Sequence, residues 1–229
     1  IVHPALLAHP NPRHALLIGG GVGGGLREAL KHPLDSVDYI ELDPLIVETA
    51  SRLLPPEDAA WLSDSRVNVI YLDGRQYLST IWRGQRTLEA EATWVGQYDV
   101  IVIDLPEPST GQLNRFYTLE FYRQAHANLA PGGILAFGLP SSENYLNREL
   151  RRRNGSIYST LRESFPHVIV LPGDRNIFLA SDSPIAEDPD VWGARLQKRE
   201  LQTKQVTLPY LHFLFTTERY AELRKALEA

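Results

Sequence analysis

The chain has 229 residues, of which 43% are hydrophobic and 22% are charged, a balance ordinary for a globular protein with a sizeable core. A formal net charge of −5 gives no electrostatic reason to expect nucleic acid as a partner. The sequence contains no cysteine, which excludes disulfides, thiolate zinc sites and thiol nucleophiles. We therefore expect one main globular domain.

Short apolar, β-branched segments alternate with helix-like segments along most of the chain. The pattern predicts strands at 15–18, 37–42, 67–72, 99–103 and 133–138, and helices near 24–31, 44–53, 75–82, 118–129 and 147–164. Such alternation is typical of a parallel sheet with helices on both faces. Two further strands, 167–171 and 176–180, are joined by a turn too short for a crossover, so they should pair antiparallel. We predict an α/β fold: a Rossmann-like, seven-stranded sheet of the S-adenosylmethionine-dependent methyltransferase type, ending in an antiparallel hairpin.

The C-terminal part of the chain differs in pattern from the rest. Residues 183–190 have the composition of a linker, and helical spacing follows at 191–201 and 217–228, with Pro209 between them. We therefore divide the chain into a main α/β domain, 1–182, and a linker with a helical tail, 183–229, that packs on it. Residues 83–97 form a polar insertion with no assigned function. The run of arginines at 151–153 is interpreted as the solvated face of a helix.

A glycine-rich segment directly follows the first predicted strand. Gly19, Gly20, Gly21, Gly23 and Gly24 allow a tight turn and bring bare backbone against a ligand. No Gly-Lys-Ser/Thr follows, so this segment is not the phosphate loop of a nucleotide triphosphatase. A strand, a glycine turn, a helix and a second strand ending in an acid are typical of a nucleoside-cofactor site.

Acidic residues end three successive strands. Glu41 ends the second strand, Asp73 and Gly74 follow the third, and Asp104 follows the fourth. Open α/β sheets bind ligands at this carboxyl edge, where a glutamate can accept both hydroxyls of a ribose. The alternative is that these acids only cap the helices that follow them. The seven histidines show no metal-ligand spacing, and we predict no metal site.

A set of short motifs runs through most of the chain. They include Ile-Gly-Gly-Gly-Val-Gly-Gly-Gly-Leu-Arg-Glu at 18–28, Glu-Leu-Asp at 41–43, Asp-Gly at 73–74 and Tyr-Asp-Val-Ile-Val-Ile-Asp-Leu-Pro-Glu-Pro at 98–108. Together with segments 3–12, 31–33, 116–122 and 129–133, they resemble the spermidine/spermine synthase family of aminopropyltransferases over about residues 3–182. Segments 140–145 and 171–181 are more similar to the branch in which this domain is fused behind transmembrane helices.

The resemblance implies a role for each matching residue. Glu41, with Asp43 in the same motif, would hold the ribose, while Asp73 and Gly74 would hold the adenine. The glycine loop, Gly19 to Gly23 with Val22, would hold the methylthioadenosine moiety. Asp104 and Glu107 would be the catalytic acids beside the aminopropyl chain and the attacking amine. An aspartate titrates far below an alkylammonium, so Asp104 is expected to orient and anchor the amine rather than act as a strong base.

The sequence departs from the family pattern at three places. Val22 stands where the family has an acid that pairs with the ammonium of the decarboxylated donor, so we expect weaker selection against intact S-adenosylmethionine. Glu107 stands where the family has an aspartate, which lengthens the side chain by one methylene. No Tyr-Pro-Ser-Gly stretch lines the polyamine pocket, and Leu171-Pro-Gly-Asp-Arg occupies its place.

We therefore predict an aminopropyltransferase that moves an aminopropyl group from decarboxylated S-adenosylmethionine to a di- or polyamine, without a metal. The alternatives are a methyl or aminocarboxypropyl transferase of the same fold that uses intact S-adenosylmethionine, and a non-catalytic nucleoside-binding domain of a membrane protein. The sequence has no methionine, and we expect a fragment of a longer chain. We expect a cytoplasmic domain tethered to the inner membrane by an upstream transmembrane region, and a homodimer of the kind common in this family.

Overall fold

The computed structural model describes residues 1–82, 96–141 and 148–228. Within this part of the chain, one sheet contains β1 (His14–Ile18), β2 (Ser36–Glu41), β3 (Val67–Tyr71), β4 (Tyr98–Ile103), β5 (Leu129–Pro140), β6 (His167–Leu171) and β7 (Arg175–Ser181). The strand order is β3-β2-β1-β4-β5-β7-β6.

Strands β1 to β5 pair in parallel, and β7 runs antiparallel to both β5 and β6. This arrangement confirms the predicted α/β fold with its terminal antiparallel hairpin. The direction of winding reverses between β1 and β4, because the chain first builds outward through β2 and β3 and then returns to the other side of β1. Open sheets bind ligands at the carboxyl ends of the strands beside such a reversal.

Eleven α-helices lie within the described residues: α1 (Val2–Ala8), α2 (Leu26–Ala29), α3 (Pro44–Leu53), α4 (Pro56–Ala59), α5 (Gly74–Trp82), α6 (Gly111–Asn114), α7 (Leu119–Ala127), α8 (Arg148–Arg162), α9 (Pro189–Lys198), α10 (Leu208–Thr216) and α11 (Glu218–Glu228). The helix predicted at 118–129 ends at Ala127, because β5 already begins at Leu129. Most of the predicted insertion at 83–97 lies outside the described residues. The first residue of the helix predicted at 147–164 also lies outside them. None of the described helices is long and apolar enough to cross a membrane.

The central strands are buried on both faces of the sheet. In β4, Val100 and Val102 contribute to one apolar cluster, and Ile101 and Ile103 contribute to the other. All four side chains are at most 1% exposed. A strand that is apolar on both faces is the signature of a parallel sheet covered by two helical layers, so its ends are held rigidly in place.

The C-terminal tail contains one helix more than the sequence predicted. Pro209 was expected to separate two helices, but it lies in the first turn of α10. The expectation was wrong because a proline has no N–H to donate, and the first turn of a helix needs none. The tail contacts the N-terminal helix: Arg195 donates to the carbonyls of Leu7 and Ala8 at 2.6 and 2.7 Å. The division of the chain between residues 182 and 183 stays a prediction.

A directed chain of hydrogen bonds joins the tail to the helix that follows the glycine loop. Arg199 donates to Nδ1 of His32 at 3.2 Å, so His32 carries its proton on Nε2 and donates to Nδ1 of His3 at 2.9 Å. His3 in turn carries its proton on Nε2, which lies 2.9 Å from Glu28. Both imidazoles are neutral in this arrangement, and burial lowers the pKa of His32 to about 3. These histidines therefore have a packing role, and no group of metal-ligating side chains occurs among the described residues.

Candidate active site

The glycine loop lies directly against the ends of β1 and β4. Gly19 and Gly20 have φ angles of 73° and 68°, in the left-handed region that favours glycine. A Cβ atom on Gly20 would lie 2.3 Å from Oδ2 of Asp104, and one on Gly19 would lie 2.8 Å from the Asp104 carbonyl oxygen. The loop therefore needs glycine at both positions, and the missing side chains bring its backbone into contact with Asp104.

The end of β2 presents a carboxylate in a fixed orientation. Oε1 of Glu41 accepts the backbone N–H groups of Leu42 and Asp43 at 2.8 and 3.2 Å, and Oε2 accepts the hydroxyl of Tyr39 at 2.7 Å. Burial, followed by this contact with Glu41, raises the pKa of Tyr39 and keeps its hydroxyl a donor. Asp43 is exposed and caps α3 by accepting the N–H of Leu45 at 2.9 Å. Glu41 is thus oriented toward the ligand edge, whereas the structure gives Asp43 a helix-capping contact.

Asp73 begins the helix that follows β3. Its Oδ1 accepts the backbone N–H groups of Arg75 and Gln76 at 3.1 and 3.0 Å, and its Oδ2 is paired with Arg115. A Cβ on the next residue, Gly74, would lie 2.4 Å from Ile18 in β1, so glycine is needed for this close packing. Asp73 therefore caps a helix and also lies at the ligand edge. The two interpretations from the sequence, ligand binding and helix capping, are thus compatible for this residue.

Asp104 and Glu107 line a cavity of about 370 Å³ beyond the end of β4, together with Leu105, Pro106, Pro140 and Arg175. Each acid has an arginine partner. Nη1 of Arg175 lies 3.3 Å from Oδ1 of Asp104, and Arg153 is paired with Glu107. The same two guanidinium groups donate to carbonyls at the end of β5, Arg175 to Gly138 at 2.9 Å and Arg153 to Pro140 at 3.3 Å. One compensating positive charge, that of Arg175, therefore lines the cavity itself, and a second, that of Arg153, is paired with an acid that lines it.

Val22 faces away from this cavity. Its half-buried side chain lines a separate apolar groove of about 470 Å³, formed with residues of α3 and the residue after it: Leu45, Ile46, Thr49, Ala50, Leu53 and Leu54. The neighbouring Gly23 is exposed, with no atom within 4 Å of a Cβ built on it. Of the predicted loop residues, the structure brings Gly19 and Gly20 to Asp104, while Val22 and Gly23 lie on the side of α3 and solvent.

Four site residues were not predicted from the sequence. Arg153 was interpreted as part of a solvated helix face, but its guanidinium contacts Glu107 and is 28% exposed. Arg175, Arg115 and Tyr39 were assigned no role, although each contacts one of the predicted acids. Only Tyr39 carried a local signal, because it lies two residues before Glu41 and its side chain therefore points to the same face of β2.

Comparison with known proteins places the chain in a family. Residues 1–152 match the model of the spermine/spermidine synthase domain. A polyamine aminopropyltransferase of Korarchaeum cryptofilum is 33% identical over the whole chain, which spans 68% of that relative's length. The chain spans 41% to 52% of the length of several other relatives of the same description.

Solved structures agree with the sequence comparison. A spermidine synthase in complex with the transition-state analogue AdoDATO has a TM-score of 0.76 and 25% identity, and the match covers 99% of this chain and 73% of that one. Human methyltransferase-like protein 13 in complex with SAH shares the fold, with a TM-score of 0.64 over 89% of this chain and 90% of that one, at 22% identity. The predicted resemblance is confirmed, and the chain belongs to the spermine/spermidine synthase domain family.

Proposed function

We propose that this protein is an aminopropyltransferase of polyamine biosynthesis that uses decarboxylated S-adenosylmethionine as the donor and a di- or polyamine as the acceptor. The observation that carries the proposal is the contact between the glycine loop and Asp104. The loop that binds the nucleoside in this type of fold approaches the carboxylate that lines the acceptor cavity so closely that Gly20 has no room for a Cβ. Donor and acceptor sites therefore meet at Asp104.

The donor would lie across the ends of β1, β2 and β3. Glu41, held by Tyr39 and two backbone N–H groups, is placed to accept the ribose hydroxyls. Asp73 is assigned to the adenine. The sulfonium and its aminopropyl chain would then pass over Gly19 and Gly20 toward Asp104.

The transfer itself is a displacement at the carbon next to the sulfonium. The lone pair of the uncharged amine forms the new C–N bond, and the C–S bond breaks with its electron pair going to sulfur, which leaves neutral methylthioadenosine. The nitrogen, now positively charged, loses one proton to solvent. Asp104 orients the nitrogen by accepting a hydrogen bond from its N–H, and correct alignment is where the protein can lower the barrier most.

A second candidate activity follows from the position of Val22. This side chain belongs to the apolar groove against α3, so it offers no charge that would repel the carboxylate of intact S-adenosylmethionine. A methyl or aminocarboxypropyl transferase of the same fold would tolerate this arrangement. The two candidates differ in their products, because only aminopropyl transfer from the decarboxylated donor yields methylthioadenosine and an amine extended by an unsubstituted aminopropyl group.

The test is mass-spectrometric detection of methylthioadenosine and of the extended amine, after incubation with the decarboxylated donor and a panel of diamines and polyamines. Asp104→Asn should abolish turnover and leave nucleoside binding intact. Asp35→Asn is the matched control, because Asp35 pairs with the exposed Arg13 at the opposite edge of the sheet. Full activity of Asp104→Asn would remove Asp104 from the mechanism, and products only with intact S-adenosylmethionine would favour the second candidate.

The homodimer, the upstream transmembrane region and the resulting attachment to the inner membrane also stay predictions. Light scattering of the purified chain tests the first of them: a mass of one chain at concentrations well above those of the assay contradicts a dimer formed by this region.

A further inference from the structure

The two acids of the acceptor cavity favour the protonated form of the acceptor amine, which cannot react. An alkylammonium ion has no lone pair, so the acceptor nitrogen must lose its proton before it can attack. Nearby carboxylates favour the charged form of an amine, and Asp104 and Glu107 would therefore hold the acceptor as an unreactive ammonium. Carboxylic acids in general are much stronger acids than alkylammonium ions, so the proton has to leave by another route.

Arg175 occupies a position from which it can offset this effect. Its guanidinium lines the cavity and lies 3.3 Å from Asp104. It is held on the opposite side by the carbonyl of Gly138, at 2.9 Å. A Cβ on residue 138 would lie 3.2 Å from Nε and 3.3 Å from Nη2 of Arg175. Glycine at this position therefore leaves room for the guanidinium beside the strand. The positive charge is thus fixed at the wall of the cavity.

We propose that Arg175 is an electrostatic residue of the transfer reaction, whose fixed guanidinium offsets the acids of the acceptor cavity and so favours the uncharged, nucleophilic form of the acceptor amine. The proposal rests on the aminopropyl transfer proposed above and adds to it the source of the reactive amine. A cationic neighbour is an established way of activating an amine nucleophile in a protein. The proton goes to solvent before the attack, so no further co-reactant is needed.

Several charged or titratable groups surround Arg175: Asp104, Glu107, Asp174, Arg153 and Tyr117. Their effects on Tyr117 show that the four cavity charges act on one region. Burial raises the pKa of Tyr117 to about 12, Arg175 and Arg153 lower it, and Asp104 and Glu107 raise it. At Tyr117, Arg175 therefore acts in the direction that favours loss of a proton, which is the direction that the proposal requires for the acceptor amine.

The experiment compares two acceptors of equal length at saturating donor: 1,4-diaminobutane and an analogue whose reacting nitrogen is an O-alkylhydroxylamine. The hydroxylamine nitrogen is already uncharged at neutral pH and needs no activation. Formation of methylthioadenosine is measured between about pH 6 and pH 10, where the alkylammonium becomes deprotonated. The variants are Arg175→Gln, which removes the charge, Arg175→Lys, which keeps it, and Arg52→Gln as a control at an exposed arginine of α3.

With the diamine also at saturation, Arg175→Gln should move the acidic limb of kcat, which reports the bound amine, to higher pH by about one unit, which is roughly a tenfold loss at neutral pH. The loss should disappear toward high pH, Arg175→Lys should restore the limb, and Arg52→Gln should not move it. With the hydroxylamine analogue, all variants should turn over within about twofold of one another. The surrounding acids are common to all variants, so their effects cancel in the comparison.

Two results would overturn the proposal. Equal loss at every pH and with both acceptors would mean that Arg175 only maintains the shape of the cavity, and an unchanged pH profile of Arg175→Gln would mean that the charge has no effect. Failure of the proposed function looks different: the unaltered protein would bind the nucleoside and form no methylthioadenosine with any acceptor. Nucleoside binding by each variant, measured by titration, shows that the site has folded.

Discussion

Replacement of Gly20 by alanine tests whether the contact between the glycine loop and Asp104 organises the site. The residue has a φ angle of 68°, and its added Cβ would lie 2.3, 2.6 and 2.7 Å from Oδ2, Cβ and Cγ of Asp104. A left-handed conformation costs a non-glycine residue about 1–2 kcal/mol. The steric conflict adds to this cost, because Asp104 is held from the other side by Arg175.

The expected loss of activity follows from the distance that Asp104 must move. Non-bonded heavy atoms approach to about 3.5 Å, so relief of the contact requires a displacement of roughly 1 Å. A misplacement of that size in a reaction that depends on alignment costs about 100-fold in rate. We expect Gly20→Ala to lose about 2–5 kcal/mol of folding free energy and about 100-fold in turnover, because backbone strain and overpacking act together.

Gly23→Ala is the matched control in the same loop. Gly23 does not have a positive φ, and no atom lies within 4 Å of a Cβ built on it. Alanine there should leave stability unchanged or raise it by about 0.4–1 kcal/mol, through the reduced entropy of the unfolded chain. Urea denaturation and methylthioadenosine formation are measured for both variants. If Gly20→Ala has turnover within about threefold of Gly23→Ala, the loop does not position Asp104 and the reasoning is refuted.

Three further perturbations test other parts of the structure. Burial lowers the pKa of His32 to about 3, so only the unfolded chain takes up a proton at this residue as the pH falls from 7 to 5. The free energy of unfolding should therefore drop by about 2 kcal/mol over that range. A His32→Gln variant whose urea midpoint shows the same pH dependence would contradict this. Tyr39→Phe removes a donor to Glu41 and should weaken methylthioadenosine binding about fivefold in a calorimetric titration, whereas equal affinity would show that Glu41 needs no such support. Val22→Glu should lower the affinity for intact S-adenosylmethionine relative to the decarboxylated form, and an unchanged ratio of the two dissociation constants would show that this position does not select the donor.

The sheet and its ligand edge could be predicted because their signals are local. Consecutive β-branched residues indicate a buried strand such as β4, and the alternation of strands with helices indicates parallel pairing. The carboxyl ends of parallel strands meet at one edge, so Glu41, Asp73 and Asp104 were predicted together without any long-range information. The first turn of α10 was missed for a local reason as well, because Pro209 is compatible with both the end and the start of a helix.

The pairing of arginines with the acids of the cavity that Asp104 and Glu107 line could not be predicted in this way. Asp104 and Arg175 are separated by 71 positions, and Glu107 and Arg153 by 46, so no motif or spacing links the members of either pair. The segment containing Arg175 was noted only for lacking the family's tyrosine stretch. In the fold, however, β7 runs antiparallel to β5 and brings Arg175 opposite Pro140, at the sheet edge where Asp104 lies. The two acids to which the resemblance assigned catalysis are thus each paired with an arginine in the fold, and the proposed control of the acceptor's protonation depends on these arginines.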